Sequence, residues 1–392
     1  MIDLPAELLT APRPAETSPR LTNRRLAIVH DYFTQRGGAE RLAERMAALH
    51  PAARVYTSVV DPAAAPVSIE PSRLTTSRLQ RLFSAGVPLK ALGPLMGGAF
   101  ASLDLDEHDV VVSSSAAFGH RIRPRRDAVH LCYCNTPPAF LYRGEYFATA
   151  RLTGLALAPA LAWMRRSDRR AAIRVDRYIA NSRFTAARIR STYGLHADVL
   201  YPAVDTAAFA PTTECSERFL VVSRLRPHKA IDLAIAAANR YRLPLDIIGE
   251  GTDRARLESL AGPTVRFLGW LDDAEVAAAM ARCIALVVPG VEDFGMVTAE
   301  VQAAGRPAIG SAIGGTAEIV DDGVTGFLVD ERTPEGFGEA MRRAQSVQLD
   351  ADTLVASARR FDLAAFAARL DEFIEDAKVL AEDRRRHEGG RT

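Results

Sequence analysis

Two series of short apolar runs, alternating with helical patterns and separated by a polar break, divide this 392-residue chain. In the first series LAIVHDY (26–32), RVYTSVV (54–60), DVVVSSSAA (109–117), VHLCYCN (129–135), RYIANS (177–182) and ADVLYPAV (197–204) read as buried strands. AERLAERMAALH and FTAARIRSTYG read as helices, the second ending on Gly194 as a left-handed cap. The second series holds RFLVVSRL (218–225), PLDIIGEG (244–251), VRFLGW (265–270), IALVVPG (284–290), RPAIGSAIGG (306–315) and GFLVD (326–330), with helical patterns between. Strands alternating with helices of this length imply parallel sheets covered on both faces. Two such series imply two Rossmann-like, doubly wound α/β domains. Ligands of such sheets bind beyond the carboxyl ends of the strands, here the cleft between the domains. The expected division is a disordered tail at 1–23, an N-terminal acceptor domain at 24–204 and a linker at 205–217. A C-terminal donor domain then covers 218–365, an amphipathic helix packing back toward the N-terminal domain covers 366–383, and a second disordered tail covers 384–392.

Charge is spread unevenly. Residues 1–200 carry 27 Lys/Arg against 17 Asp/Glu, and residues 201–392 carry 22 against 31. The basic half suits an anionic partner, although solvated faces of opposite sign explain it equally well. A pI near 7.8 and the lack of a recognition motif argue against nucleic acid. The N-terminus lacks the basic and apolar regions of a signal peptide. The longest apolar stretch, Leu152–Met164, is interrupted by Pro159 and is too short to span a bilayer, which takes about 20 residues. Arg165, Arg166, Arg169 and Arg170 follow it, the pattern of an interfacial helix or of a core helix with a charged end. The four cysteines lack zinc spacing and read as reduced core thiols of a cytoplasmic protein.

Chemistry concentrates at three turns. Gly37-Gly38 lies between the first strand and a helix, where backbone N–H groups can approach a phosphate. Gly249-Glu250-Gly251 is followed by Arg254 where a third glycine would stand, so the dinucleotide fingerprint is absent. Arg224 and Lys229 lie beyond the strand RFLVVSRL, where a forked and a point cation suit a diphosphate. The third turn is VVPGVEDFGMVTAEVQAAGRPAIG (287–310). Pro289-Gly290 stops a strand, Phe294-Gly295-Met296 opens a helix, Glu292 precedes that helix and Glu300 lies on it. A carboxylate accepts two hydrogen bonds, matching vicinal hydroxyls, so one acid can hold a sugar and the other a ribose.

In combination, Arg224-Leu225-Arg226-Pro227-His228-Lys229, then Glu292-Asp293-Phe294-Gly295 with Glu300 eight positions on, then Gly314-Gly315, resemble the retaining glycosyltransferases of family 4. The resemblance covers about 24–380. It implies the GT-B fold, with Arg224 and Lys229 holding the donor diphosphate, Glu292 the transferred sugar and Glu300 the ribose. It implies contacts from the backbone of Phe294, Gly295 and Met296, close approach at Gly37 and Gly38, and His120 near the sugar. As a lone histidine at a strand end, His120 also fits a structural role. The resemblance implies no bound cofactor or metal, the nucleotide sugar being a co-substrate.

VHLCYCNTPPAFLY and VHDYFTQRGGAER look like bacterial mannosyltransferases of O-antigen and exopolysaccharide synthesis, which implies GDP-mannose as donor. The implied acceptor is a lipid-linked oligosaccharide, and the implied location is the cytoplasm or the inner face of the plasma membrane, held there by an anionic surface. The implied route is front-face displacement with retention. A UDP-hexose donor, a GT-B sugar-nucleotide epimerase and a catalytically silent binder are the alternatives. A nicotinamide dehydrogenase is disfavoured by the missing glycine.

Overall fold

The computed structural model describes residues 26–142 and 151–389, with side chains described outside 151–157 and 387–389. The tail expected at 1–23 lies outside these residues.

Seven strands form the first sheet: β1 (Leu26–His30), β2 (Arg54–Thr57), β3 (Leu74–Thr76), β4 (Val110–Ser115), β5 (Val129–Cys134), β6 (Arg177–Ala180) and β7 (Ala197–Val199). Their order is β3-β2-β1-β4-β5-β6-β7, with every pairing parallel. Six form the second: β8 (Phe219–Val222), β9 (Leu245–Ile248), β10 (Val265–Gly269), β11 (Leu286–Val288), β12 (Ala308–Ser311) and β13 (Gly326–Val329). Their order is β10-β9-β8-β11-β12-β13, again all parallel. Each order steps outward from its first strand and then reverses. The reversal points, β1/β4 and β8/β11, open a crevice at the carboxyl ends of the strands.

The central strands β4 and β5 are buried at every position, which is why they read as unbroken apolar or small-residue runs. Cys132 and Cys134, two apart on β5, share one face and pack with Tyr178 and Ile189. Burial raises the Cys132 thiol to about 12 and also raises that of Cys134. Cys215 is exposed, which corrects its assignment to the core.

The sequence reading overlooks β3. This edge strand is half-buried throughout and only three residues long, too short to show a period. The strands are also shorter than the runs that hold them. The second ends at Thr57, and that at 197–204 ends at Val199, after which Val204 pairs with Asp362 from the far end of the chain.

The last helix, Leu363–Gly389, belongs to the core of the first domain. Phe366, Leu370, Phe373, Ile374, Ala377 and Ala381 recur at helical spacing and pack against Ile28, Leu42 and Tyr133. The helix continues to Gly389, into the segment from 384 expected to be a disordered tail. Arg384 reaches Asp176 at 2.6 Å and Arg385 reaches Asp127 at 2.9 Å, so arginines that look like a solvated tail are anchored on the first domain.

The domains meet at an apolar cluster of Val204, Phe294, Ala299, Ile319 and Phe361, with Tyr201 against it. Beside it, Glu318 of the second domain accepts hydrogen bonds from the backbone N–H groups of Arg183 and Phe184, each at 2.8 Å. An acid from one domain thus caps a helix of the other.

Candidate functional site

The site forms where two helix N-termini face each other across the cleft. From the first domain comes the helix Gly38–Leu49, which follows β1 and is capped by Gly37 in an extended conformation. The buried carboxylate of Glu40 accepts the Gly37 N–H at 3.1 Å, fixing the turn. From the second comes the helix Met296–Ala303, whose N-cap Gly295 has φ +94°. Only glycine takes that conformation without strain. A Cβ on Gly38 would lie 2.8 Å from Met296 Sδ, so the two helix starts are in contact. Both helices direct their positive dipole ends toward the gap.

Lys229 and Glu292 meet at the mouth of this gap. Lys229 ends a short 3-10 turn, Pro227–Lys229, and the next residue, Ala230, is held at φ +51°. A left-handed alanine is a strained position that fixes where the lysine stem leaves the backbone. Lys229 Nζ donates to both Glu292 carboxylate oxygens at 2.8 Å, and both side chains are 18% exposed. Burial alone would raise the Glu292 carboxyl, but Lys229, with His228 and Arg224 behind it, brings it below the ordinary range. The loop carrying Glu292 is wedged against Gly314-Gly315. Gly315 N–H donates to Glu292 O at 2.8 Å, and a Cβ on Gly315 would fall 2.2 Å from the Phe294 Cα.

Arg224 lies beyond β8 and donates to Gln35 of the first domain at 2.5 Å. Glu300 lies inside the helix Met296–Ala303 and is 6% exposed. Burial pushes its carboxyl above the ordinary value, partly offset by Arg41 and Arg45 of the facing helix. Arg41 Nη1 is 4.0 Å from Glu300, and its Nη2 is 2.6 Å from Asp273. Sequence reasoning missed Gln35, Arg41 and Arg45. Their signal was position alone, just before the glycine turn and one to two turns into the helix it opens.

The structure therefore brings together Gly37, Gly38, Arg224, Lys229, Glu292, Phe294, Gly295, Met296 and Glu300. Phe294 turns its ring into the interdomain cluster, 3% exposed, leaving only its backbone toward the gap. His120 makes its contacts within the first domain. It occupies a 3-10 turn after β4 and is 4% exposed. Its Nδ1 is 3.3 Å from Ser115 Oγ and its Nε2 is 3.0 Å from Asp168, both in the first domain. Tyr142 and Tyr193 each donate to Asp168 at 2.9 Å. The same turn is braced by Asp31, which sequence reasoning also missed. Its carboxylate accepts the backbone N–H groups of Ala116, Ala117, Phe118 and Gly119 at 2.5 to 2.9 Å.

Among the described residues, no three His, Cys, Asp or Glu side chains are grouped to hold a metal ion. Among them, too, no helix is long and apolar enough to cross a membrane.

Comparison with known proteins adds to this geometry. Residues 36–208 match the family Glycosyltransferase Family 4, and residues 209–361 match Glycosyl transferases group 1. The chain is 30% identical over 223 residues to a D-inositol 3-phosphate glycosyltransferase of Nocardioides sp., covering 47% of this chain and 49% of that one. It is 40% identical over 148 residues to a glycogen synthase of Mycobacterium tuberculosis, covering 35% of each. The match thus spans about half the length of the first relative and about a third of the second. In fold, the chain is similar to Anabaena Alr3699/HepE, solved with UDP and glucose, at TM-score 0.67 and 17% identity over 89% of this chain and 99% of that one. It is also similar to sucrose-phosphate synthase of Thermosynechococcus elongatus, at TM-score 0.71 and 18% identity over 90% and 99%. Residues 36–208 thus carry the Glycosyltransferase Family 4 domain and residues 209–361 the Glycosyl transferases group 1 domain, in succession and facing each other as in the GT-B fold.

Proposed function

We propose that this protein transfers a hexose from a nucleotide sugar to an acceptor hydroxyl with retention of configuration. The observation that carries the reading is the Lys229–Glu292 pair over the N-terminus of Met296–Ala303, with Glu300 further along the same helix. In this reading Arg224 and Lys229 hold the diphosphate, Glu292 the sugar hydroxyls and Glu300 the ribose. Gly37, Gly38 and the backbone from Phe294 to Met296 close over the donor.

The bond from the anomeric carbon to the diphosphate oxygen breaks, giving an oxocarbenium-like centre. The acceptor oxygen bonds to that carbon on the same face, and its proton passes to the departing phosphate oxygen. The protein supplies positioning and charge stabilisation for the diphosphate. His120, held by Ser115 and Asp168, shapes the first-domain side of the cleft.

GDP-mannose is the donor favoured by the two N-terminal sequence segments. A UDP-hexose is the second reading, favoured by the solved Anabaena neighbour in complex with UDP-glucose. The acceptor in this reading is a lipid-linked saccharide of a cell-surface polysaccharide, met at the cytoplasmic face of a membrane. An exposed helix supports it. In Arg151–Ala172, Trp163 is 64% exposed, and Arg165, Arg166, Arg169 and Arg170 line a groove of about 440 Å3 together with Ile173. Arginines beside exposed apolar side chains suit an anionic lipid surface.

The test is nucleoside diphosphate release from GDP-mannose, UDP-glucose, UDP-galactose and UDP-GlcNAc separately, with Glu300→Ala as control. Product configuration is read by NMR once an acceptor is found. Release from one donor, lost in the variant, supports the reading. Isomerisation of a donor without transfer makes the protein an epimerase, and binding without turnover makes it a silent binder. Failure to bind vesicles of anionic lipid at low salt overturns the membrane part alone.

A further inference from the structure

The stretch from Glu292 to Gly295 divides its contacts between the two domains. Glu292 faces Lys229 within the second domain, while its neighbour Asp293 faces the first. The Asp293 carboxylate accepts a hydrogen bond from Arg188 Nη1, and its backbone carbonyl accepts one from Ser182 Oγ at 2.5 Å. Arg188 Nη1 also donates to Thr136 Oγ1 at 2.6 Å, so the guanidinium is braced from its own domain. Ser182 is the N-cap of the helix Arg183–Tyr193, which carries Arg188 and whose first N–H groups are held by Glu318. The Arg188 and Asp293 side chains are 16% and 25% exposed, so solvent and salt screen this pair less than a surface pair. In the sequence, Asp293 is only the spacer between Glu292 and Phe294.

We propose that Asp293, gripped by Arg188 and Ser182, is a positioning residue that registers Glu292 against the first domain, so that the sugar-facing carboxylate is placed only while the cleft is held shut. The inference rests on the glycosyltransferase reading. Consecutive Cα atoms lie about 3.8 Å apart, so a shift of Asp293 carries Glu292 with it. A displacement of about 1 Å at a reacting site can cost on the order of a hundredfold in rate. Arg224, Lys229 and Glu300 all belong to the second domain. A nucleoside diphosphate lacking the sugar therefore binds without the latch, whereas transfer needs it.

The experiment compares Arg188→Gln, Asp293→Asn and the double variant. Its readouts are kcat and KM with the donor found active, the Kd of the matching nucleoside diphosphate, the melting temperature, and hydrogen exchange of 289–296. Each single variant is expected to lower kcat about tenfold, and the double to fall no further. The nucleoside diphosphate Kd stays within about twofold, Arg188→Lys recovers part of the rate, and exchange in 289–296 quickens without a change in melting temperature. Losses that multiply in the double variant, a kcat within twofold of wild type, or Kd weakening in step with kcat would overturn the proposal. If the wild type turns over no donor, the functional reading fails separately. Hydrogen exchange then decides the latch, and unchanged protection of 289–296 in Arg188→Gln overturns it.

Discussion

Lys229 Nζ lies 2.8 Å from each carboxylate oxygen of Glu292, so the cation expected at the diphosphate and the anion expected at the sugar neutralise each other within the second domain. The pair makes one pH-dependent contribution to stability. Glu292 has a lowered carboxyl, so its stabilising contribution is present above the unfolded value of about 4.3 and is lost as pH falls through the folded value. Lys229→Met leaves burial as the dominant influence and raises that carboxyl. Its contribution then runs the other way, present at low pH and lost as pH rises. Melting curves from pH 4 to 7 should show a deficit of the variant that is widest at pH 7 and narrows toward pH 4. A deficit independent of pH would show that the pair is not the cause.

Glu300→Gln keeps the size of the side chain but removes its charge beside Arg41 and Arg45. A hydrogen bond to a charged group is worth about 1.5–3 kcal/mol, so nucleoside diphosphate affinity should fall at least about tenfold. Calorimetry with the 2′,3′-dideoxy nucleotide is the control. It should bind wild type and variant alike, because the ribose hydroxyls are the groups Glu300 is expected to hold. Equal weakening for both nucleotides would remove the ribose from the explanation.

Gly315→Ala would force a Cβ to 2.2 Å from the Phe294 Cα and 2.5 Å from its carbonyl oxygen, both backbone atoms. The loop carrying Glu292 must shift, with an expected loss of about 1–3 kcal/mol in urea unfolding and a severe loss of turnover. Gly98→Ala is the contrast, since a Cβ there meets nothing within 4 Å. Gly98 lies inside the helix Leu89–Ala101, where alanine is the better helix former, so that variant should be at least as stable as wild type.

Asp168 is fully buried and accepts from Tyr142 and Tyr193 beside His120. Burial alone would raise its carboxyl, but the imidazole of His120 and the two hydroxyls bring it below its ordinary value. Asp168→Ala strands three polar groups in the interior and should cost about 3–5 kcal/mol by denaturant unfolding. Asp168→Asn, which keeps the acceptor oxygen, should cost clearly less. Equal losses would mean that volume rather than hydrogen bonding matters there.

What the sequence determined by itself is local. The fully buried strands β4, β5 and β11 announce themselves as apolar or small-residue runs because a parallel strand covered on both faces has no solvent face to pattern. The turns after β1, β11 and β12 are marked by Gly37-Gly38, Pro289-Gly290 and Gly314-Gly315 because those backbones need a tight turn or a close approach. From such punctuation came the two doubly wound domains, the cleft between them and the residues gathered at its second-domain wall. Tertiary structure alone decided the rest, because contacts between distant segments leave no periodic trace. No local pattern says that Phe373 fills the core of a domain begun some 350 positions earlier, that Arg384 and Arg385 are anchored rather than solvated, or that three half-buried residues make β3. Nor can the letter Asp between Glu292 and Phe294 reveal Arg188 across the cleft, since that pairing exists only once both sheets are folded and brought face to face.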